Sequence, residues 1–380
     1  MSPLDLRLPS SPSRRPPRMN DTVPPLASIA ALPIDADEPM ASLTAPLLAQ
    51  GTLLHVDSDR LVGSDSASGT RRWSAAWSSK AAQQVEWLTV SEHPAVLYAT
   101  GENPQYVRAL SLEDGTARWA TRLPEGHEFA EHNRYAQTET LLYAVVERTR
   151  PYRQSALMAL DKQSGERVRS AATTATTQDL CIGGGHLLVL ESLPDLRPGY
   201  SSTVVVARDP QTLVTRWRMV VSGRGATDGG RIVARGHLAW LGSTSGLGFI
   251  SCIDLTSGTE RWRVDEMCGQ RLTLAADEHV ERPLLVSQQG AHVVALDAQS
   301  GRKVWRCDLG RADTGTTCYA RGVVYHSRGV WLYALDAATG RTLATTESPS
   351  GAGLSVWSDG VRVYWSTEWG VQIYEAAPRD

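Results

Sequence analysis

The chain has 380 residues, a formal net charge of −3, 42% hydrophobic residues and 32 glycines. That length holds one large domain or two ordinary ones, and the glycine content fits an all-β chain rich in turns. The slightly acidic balance gives no reason to expect a nucleic-acid partner, and the sequence has no run of about 18 apolar residues to span a membrane.

In chain order, residues 1–22 come first. They are rich in Pro, Arg and Ser, lack an apolar run, and read as a disordered leader to a single domain over residues 23–377. A secretory signal needs an apolar stretch of about 7–15 residues after a basic start, whereas Ser10 to Arg18 leads into Met19-Asn20-Asp21-Thr22. Met19 is an alternative start. The first cysteine is Cys181, and the five cysteines at 181, 252, 268, 307 and 318 show no paired spacing. They are expected to be reduced residues of a cytoplasmic protein rather than a disulfide framework.

From residue 64 a short phrase recurs. Its first copy runs from Ser64 to Trp73, with Asp65 and Gly69. Ala109 to Trp119 follows, with Gly115 but Ser111 in the Asp place. Ala159 to Arg169 keeps Asp161 and Gly165 but has Arg for Trp. Ala207 to Trp217 keeps Asp209 but has Leu213 for Gly. The best copies are Cys252 to Trp262, with Asp254 and Gly258, and Ala295 to Trp305, with Asp297 and Gly301. Ala334 to Ala344 keeps Asp336 and Gly340, and an eighth copy begins at Ile373-Tyr374-Glu375. The Asp-equivalent positions lie 39–50 residues apart, the length of a four-stranded propeller blade.

Before each phrase comes an alternating apolar run such as His292 to Leu296, a strand pattern. The Asp is placed to accept amides of the turn that follows, and the Gly to take the positive φ of a tight hairpin. The Trp then falls on the outgoing strand, where its ring can wedge between adjacent sheets above the small Ala. Five of the twelve tryptophans (73, 119, 217, 262 and 305) share this slot, so packing is their expected role. A blade eight lacking its outer strand is expected to borrow one from residues 23–33, with Leu26, Ile29 and Leu32.

The phrase resembles the tryptophan-docking motif of the pyrroloquinoline-quinone-like (PQQ-like) repeat β-propellers, over about residues 40–375. The resemblance implies an all-β, eight-bladed β-propeller of four-stranded antiparallel blades, closed by strand exchange between the termini. That family includes quinoprotein alcohol dehydrogenases and the β-propeller lipoprotein of outer-membrane β-barrel assembly, so it implies fold far more than function. The dehydrogenases carry an adjacent cysteine pair beside the quinone. No such pair occurs here, none of their calcium or base positions transfers to this sequence, and no cofactor is expected.

Three segments imitate catalytic motifs. His127-Glu128-Phe129-Ala130-Glu131-His132 has its histidines five apart, about 140° around a helix, rather than on one face as a zinc motif needs, and reads as a polar loop. Gly242 to Gly246 has Thr244 where a nucleophile elbow needs its nucleophile, and Gly183-Gly184-Gly185 lacks the Lys-Ser/Thr of a phosphate loop; both read as turns.

The joins between second and third strands are short except in blades three and four. There they carry Arg148, Arg150, Tyr152 and Arg153, then Arg197 and Tyr200. Arg and Tyr make large, directed contacts, so these six are the candidate partner-binding residues. The expectation is a non-enzymatic protein-interaction scaffold, monomeric alone, with a protein partner, no nucleic acid and no membrane. A PQQ-dependent oxidoreductase and a small-ligand sensor using the central channel are the competing readings.

Overall fold

The computed structural model of the protein describes residues 26, 28–33, 47–57, 60–76, 86–91, 95–100, 106–129, 135–148, 154–194, 201–221, 230–242, 248–265, 268–310, 315–348, 351–367 and 370–376. The expected leader, residues 1–22, lies outside them. Every regular element among the described residues is a strand, and the strands form eight antiparallel sheets. The chain is an all-β, eight-bladed propeller. We number its blades from the sheet that begins at Leu47–Ala49.

Within a blade the strands lie in sequence order. Blade four shows the pattern: Thr176–Gly183, His186–Pro194, Ser201–Arg208 and Thr215–Val221. In blade four the alternation expected along each strand is lost on the middle strands and kept on the outer one. Leu187, Leu188, Val189 and Leu190 are all fully buried, because a middle strand has a neighbouring blade on both faces, while Thr215–Val221 is exposed at every second position from Arg216. Odd residues such as Leu187 and Val189 pack towards blade three, and even residues such as Leu188 and Leu190 towards blade five.

The first strands are tied blade to blade by side chains that reach main-chain groups next door. Gln137 Nε2 donates to the Val90 carbonyl (2.8 Å), and the Ile232 amide donates to Asp179 Oδ2 (2.9 Å). Thr273 Oγ1 donates to the Thr317 carbonyl (3.0 Å), and the Val356 amide donates to Thr316 Oγ1 (2.8 Å). These bonds satisfy backbone groups on strand edges that no further strand covers.

Blade eight contains Gly353–Ser358, Arg362–Thr367 and Gly370–Glu375. Its fourth strand is Ser28–Pro33, antiparallel to the last of these, with Ala31 opposite Gln372 and Pro33 opposite Gly370. Leu53 of blade one packs with Tyr364, Val371 and Ile373 of blade eight, so the last blade meets the first. Blade three departs from expectation. His127–Phe129, expected in a loop, is a short strand with His127 opposite Arg148 and Glu128 opposite Glu147, and Tyr135–Gln137 pairs further along the same partner strand. The extended Leu141–Arg148 strand supplies the ladder that both short strands use. Gly184 and Gly185 form the expected turn, both with positive φ (56° and 77°). Gly242 ends a strand, and the rest of the Gly242 to Gly246 segment lies outside the described residues.

Candidate functional site

The repeated turns have the geometry their sequence implies. Asp161 Oδ1 accepts the amides of Gln163 (3.0 Å) and Ser164 (2.8 Å) and the Ser164 hydroxyl (3.0 Å). Asp209, Asp297 and Asp336 repeat all three bonds, Asp65 does so with Ala67 and Ser68, and Asp254 keeps the two amides. In blade two the Ser111 hydroxyl takes one amide, and Asp114 accepts the Thr116 amide. Gly69, Gly115, Gly165, Gly258, Gly301 and Gly340 all have φ between 68° and 76°.

The tryptophans reach forward. A Cβ placed on Gly115 would stand 2.4 Å from the ring of Trp73, which belongs to the preceding blade. Trp119 lies in the same way on Gly165, Trp217 on Gly258, Trp262 on Gly301 and Trp305 on Gly340. Each glycine therefore serves twice, giving the turn its φ and giving the neighbouring ring a flat seat. The small residue across the strand, expected to make room for the ring, does so in blade one, where a Cβ on Gly63 would sit 2.3 Å from Trp73. The indole Nε1 of Trp73, Trp119 and Trp305 donates to the carbonyl one residue past the next turn's Asp position, at Leu112 (2.8 Å), Lys162 (3.0 Å) and Ala337 (2.7 Å).

A second anchor has no counterpart in the motif. Tyr98, Tyr143 and Trp240 sit on second strands, opposite Ala109, Ala159 and Cys252. Tyr143 donates to the Pro210 carbonyl (2.8 Å) and Trp240 Nε1 to the Ala298 carbonyl (2.7 Å). Trp240 thus takes the carbonyl that Trp262 would use by analogy, and the buried Trp262 Nε1 has no hydrogen-bond partner among the described residues. The seam between blades three and four lacks the ring-on-glycine contact. Arg169 replaces the ring and is exposed, whereas Leu213 replaces the glycine, keeps a positive φ (61°) and buries its side chain in the seam. Arg208 crosses this seam, donating to the carbonyls of Leu213 and Ala172 (both 3.0 Å).

The turn carboxylates should set the acid limit of the fold. At Asp65 the Ser68 amide, the Ser68 hydroxyl and the Arg72 guanidinium hold the carboxyl far below the usual carboxylate range. At Asp209 the Arg216 guanidinium leads, followed by the Thr212 amide and hydroxyl, and at Asp161 and Asp254 the leading cause is a turn amide. A depressed folded value means the stabilisation is complete above the ordinary carboxylate pKa and is lost as pH falls through the folded one. The urea midpoint is expected to stay level down to about pH 4 and then fall steeply. A midpoint unchanged between pH 4 and pH 2 would show that the turn aspartates contribute nothing.

Of the six candidate partner-binding residues, Arg148 is exposed at the end of its strand. Arg150, Tyr152, Arg153, Arg197 and Tyr200 lie outside the described residues. The hairpins that carry them are described, and they are long. Leu141–Arg148 and Gln154–Asp161 keep eight paired positions, as do His186–Pro194 and Ser201–Arg208.

The sequence matches the PQQ-like repeat family described as outer membrane protein assembly factor BamB, over residues 35–182 and 201–326. The chain belongs to that family. Among solved structures, this BamB-family chain is similar to BamB from Moraxella catarrhalis (TM-score 0.67, 15% identity, covering 92% of this chain and 100% of that one). It is also similar to the computationally designed Ika8 protein (TM-score 0.67, 12% identity, 92% and 99% covered). Quinohemoprotein alcohol dehydrogenase from Comamonas testosteroni is similar too (TM-score 0.63, 12% identity, 96% and 79% covered). At such identities the likeness is one of fold. No curated protein matches the sequence. Among the described residues no group of three His, Cys, Asp or Glu side chains is placed to hold a metal ion, and Asp179 accepts the Leu180 and Ile232 amides.

Proposed function

We propose that the protein is a non-enzymatic interaction scaffold that presents the loop face of blades three and four to a protein partner. The pair of extended hairpins carries this reading. Each keeps eight paired positions between its second and third strands, against five or six in blades one, two, five, six, seven and eight. At about 3.3 Å per residue, the two or three extra pairs make the described ladders of these two hairpins longer by roughly 7–10 Å. They are adjacent and share one core, with Tyr143 and Val145 of one blade packed among Leu187 and Val189 of the next. The result is a stiff ledge whose end residues include the exposed Arg148. Membership of a family described as an assembly factor supports a role exercised through contacts with other proteins.

The test begins with affinity capture of a partner by the full chain in its source cell. The variant Arg148→Ser, Arg150→Ser, Tyr152→Ala, Arg153→Ser, Arg197→Ser, Tyr200→Ala is then expected to lose that partner. Stability should change by less than about 0.5 kcal/mol per exposed position, whereas a single binding hot spot is worth about 2 kcal/mol or more. Retention of the partner by this variant would move the interface elsewhere. Stoichiometric uptake of PQQ with calcium, accompanied by dye reduction, would sink the non-enzymatic reading. The scaffold reading includes a cytoplasmic location with reduced thiols, which fractionation of the full chain checks.

A further inference from the structure

The turn face, opposite the ledge, carries an open groove of about 590 Å³ where the outer strand of blade five meets the Asp297 to Gly301 turn of blade six. Arg261, Arg282, Arg302 and Lys303 line it, and Asp297 is the one carboxylate among its lining residues. On a chain whose net charge is −3, this is a local reversal of sign.

Among the described residues only Arg282 of these four cations has an ion pair with the turn. Asp297 Oδ1 is already taken by the Gln299 amide, the Ser300 amide and the Ser300 hydroxyl, and its Oδ2 lies 3.8 Å from Arg282 Nε. The repeat supplies a comparison. Arg72 and Arg216, seven positions after the turn aspartates of blades one and four, fold back to form ion pairs with Asp65 and Asp209. Arg261 holds that same place after Asp254, yet it has no ion pair within 4.0 Å among the described residues and lines the groove instead. Arg302 and Lys303 likewise have no ion pair among the described residues. Exposed cations gathered in a concavity raise the local concentration of anions and steer them in.

We propose that this groove binds an acidic segment of a protein in extended form, at a surface separate from the loop-face ledge. The groove is open to solvent, and its volume exceeds what one small anion fills, leaving room for several carboxylates of one chain. Three of the four cations are arginines, whose planar forks match carboxylates two bonds at a time. Valine is the sole apolar lining residue and no aromatic side chain lines the groove, so it offers no stacking surface for nucleic-acid bases.

The experiment uses the full chain and fluorescein-labelled hexaglutamate, followed by fluorescence anisotropy at low and physiological salt. Saturable binding is expected, weakening several-fold as salt rises, with none for labelled hexalysine. Arg261→Ser/Arg302→Ser/Lys303→Ser should weaken binding at least tenfold with an unchanged melting curve. The six-residue loop-face variant should bind hexaglutamate like the parent, which separates this surface from the ledge. Absence of saturable binding to the parent, or equal binding by the triple variant, overturns the proposal. So does displacement of the peptide by inorganic phosphate or by a short single-stranded oligonucleotide at lower concentration than by unlabelled hexaglutamate.

Discussion

Gly340→Val is expected to destabilise the propeller by about 2–5 kcal/mol, through one seam. The added Cβ would stand 2.6 Å from two carbons of the Trp305 ring, on a residue whose φ is 72°. The ring cannot step aside, because it is 7% exposed and its Nε1 is anchored on the Ala337 carbonyl at 2.7 Å. The left-handed conformation alone costs a β-branched residue about 1–2 kcal/mol, and forced overpacking adds about 1–3 kcal/mol. Trp305→Ala should itself cost about 3–5 kcal/mol as a core truncation. The informative measurement is the double variant: with the ring gone, the valine has room, so urea unfolding should show the two losses to be less than additive. Strict additivity would mean that Trp305 and Gly340 do not share an interaction, and the ring-on-glycine account of the seam would be wrong.

Removing residues 1–33 is expected to give a chain that associates more and melts earlier than the parent. Ser28–Pro33 pairs along Gly370–Glu375, and Leu26 packs against the cluster containing Val363, Trp365 and Tyr374. Without them a row of main-chain donors and acceptors opens at the edge of blade eight, a template for another chain. Each ladder hydrogen bond contributes about 0.5–1.5 kcal/mol net, so losing several costs a large share of the stability of a typical domain. Light scattering with size-exclusion chromatography and a thermal melt read both effects. A synthetic peptide covering residues 26–34, added in excess, should reverse the added association by strand addition. A truncated chain that elutes in the parent's oligomeric state with an unchanged melt would show that the N-terminal strand does not hold the ring together.

What could be read from the sequence was what acts locally. Asp161 and Gly165 do their work within four residues of each other, so the turn chemistry and the blade count follow from the motif alone. The direction of the Trp contact did not follow, because Trp119 and Gly165 belong to different copies and only the order of the sheets brings them together. Tyr143 and Trp240 were silent for a similar reason: an aromatic on a second strand gains meaning only once it is seen opposite Ala159 or Cys252 and within reach of the next blade's turn carbonyl. His127–Phe129 was expected in a loop because its own composition is polar, and it becomes a strand through the ladder it finds on Glu147 and Arg148. The ledge was visible as two long joins, whereas its height came from hairpins that keep eight paired positions. The basic groove was invisible, since Arg261 and Arg302 are 41 positions apart in the sequence.

The offset between ring and seat puts the repeat in the sequence out of phase with the repeat in energy. A single copy of the motif holds half of two different joints, and a whole joint straddles two copies. The pair Arg169 and Leu213, one in each of two adjoining copies, shows the result: both halves of one joint have departed together while the outer halves of the same two blades, Gly165 and Trp217, still serve their other neighbours. Substitutions here should travel in couples about 44 residues apart rather than within one blade. Grafting from another propeller should then succeed when the cut runs from mid-blade to mid-blade, and fail when it follows the boundaries that the eye draws first.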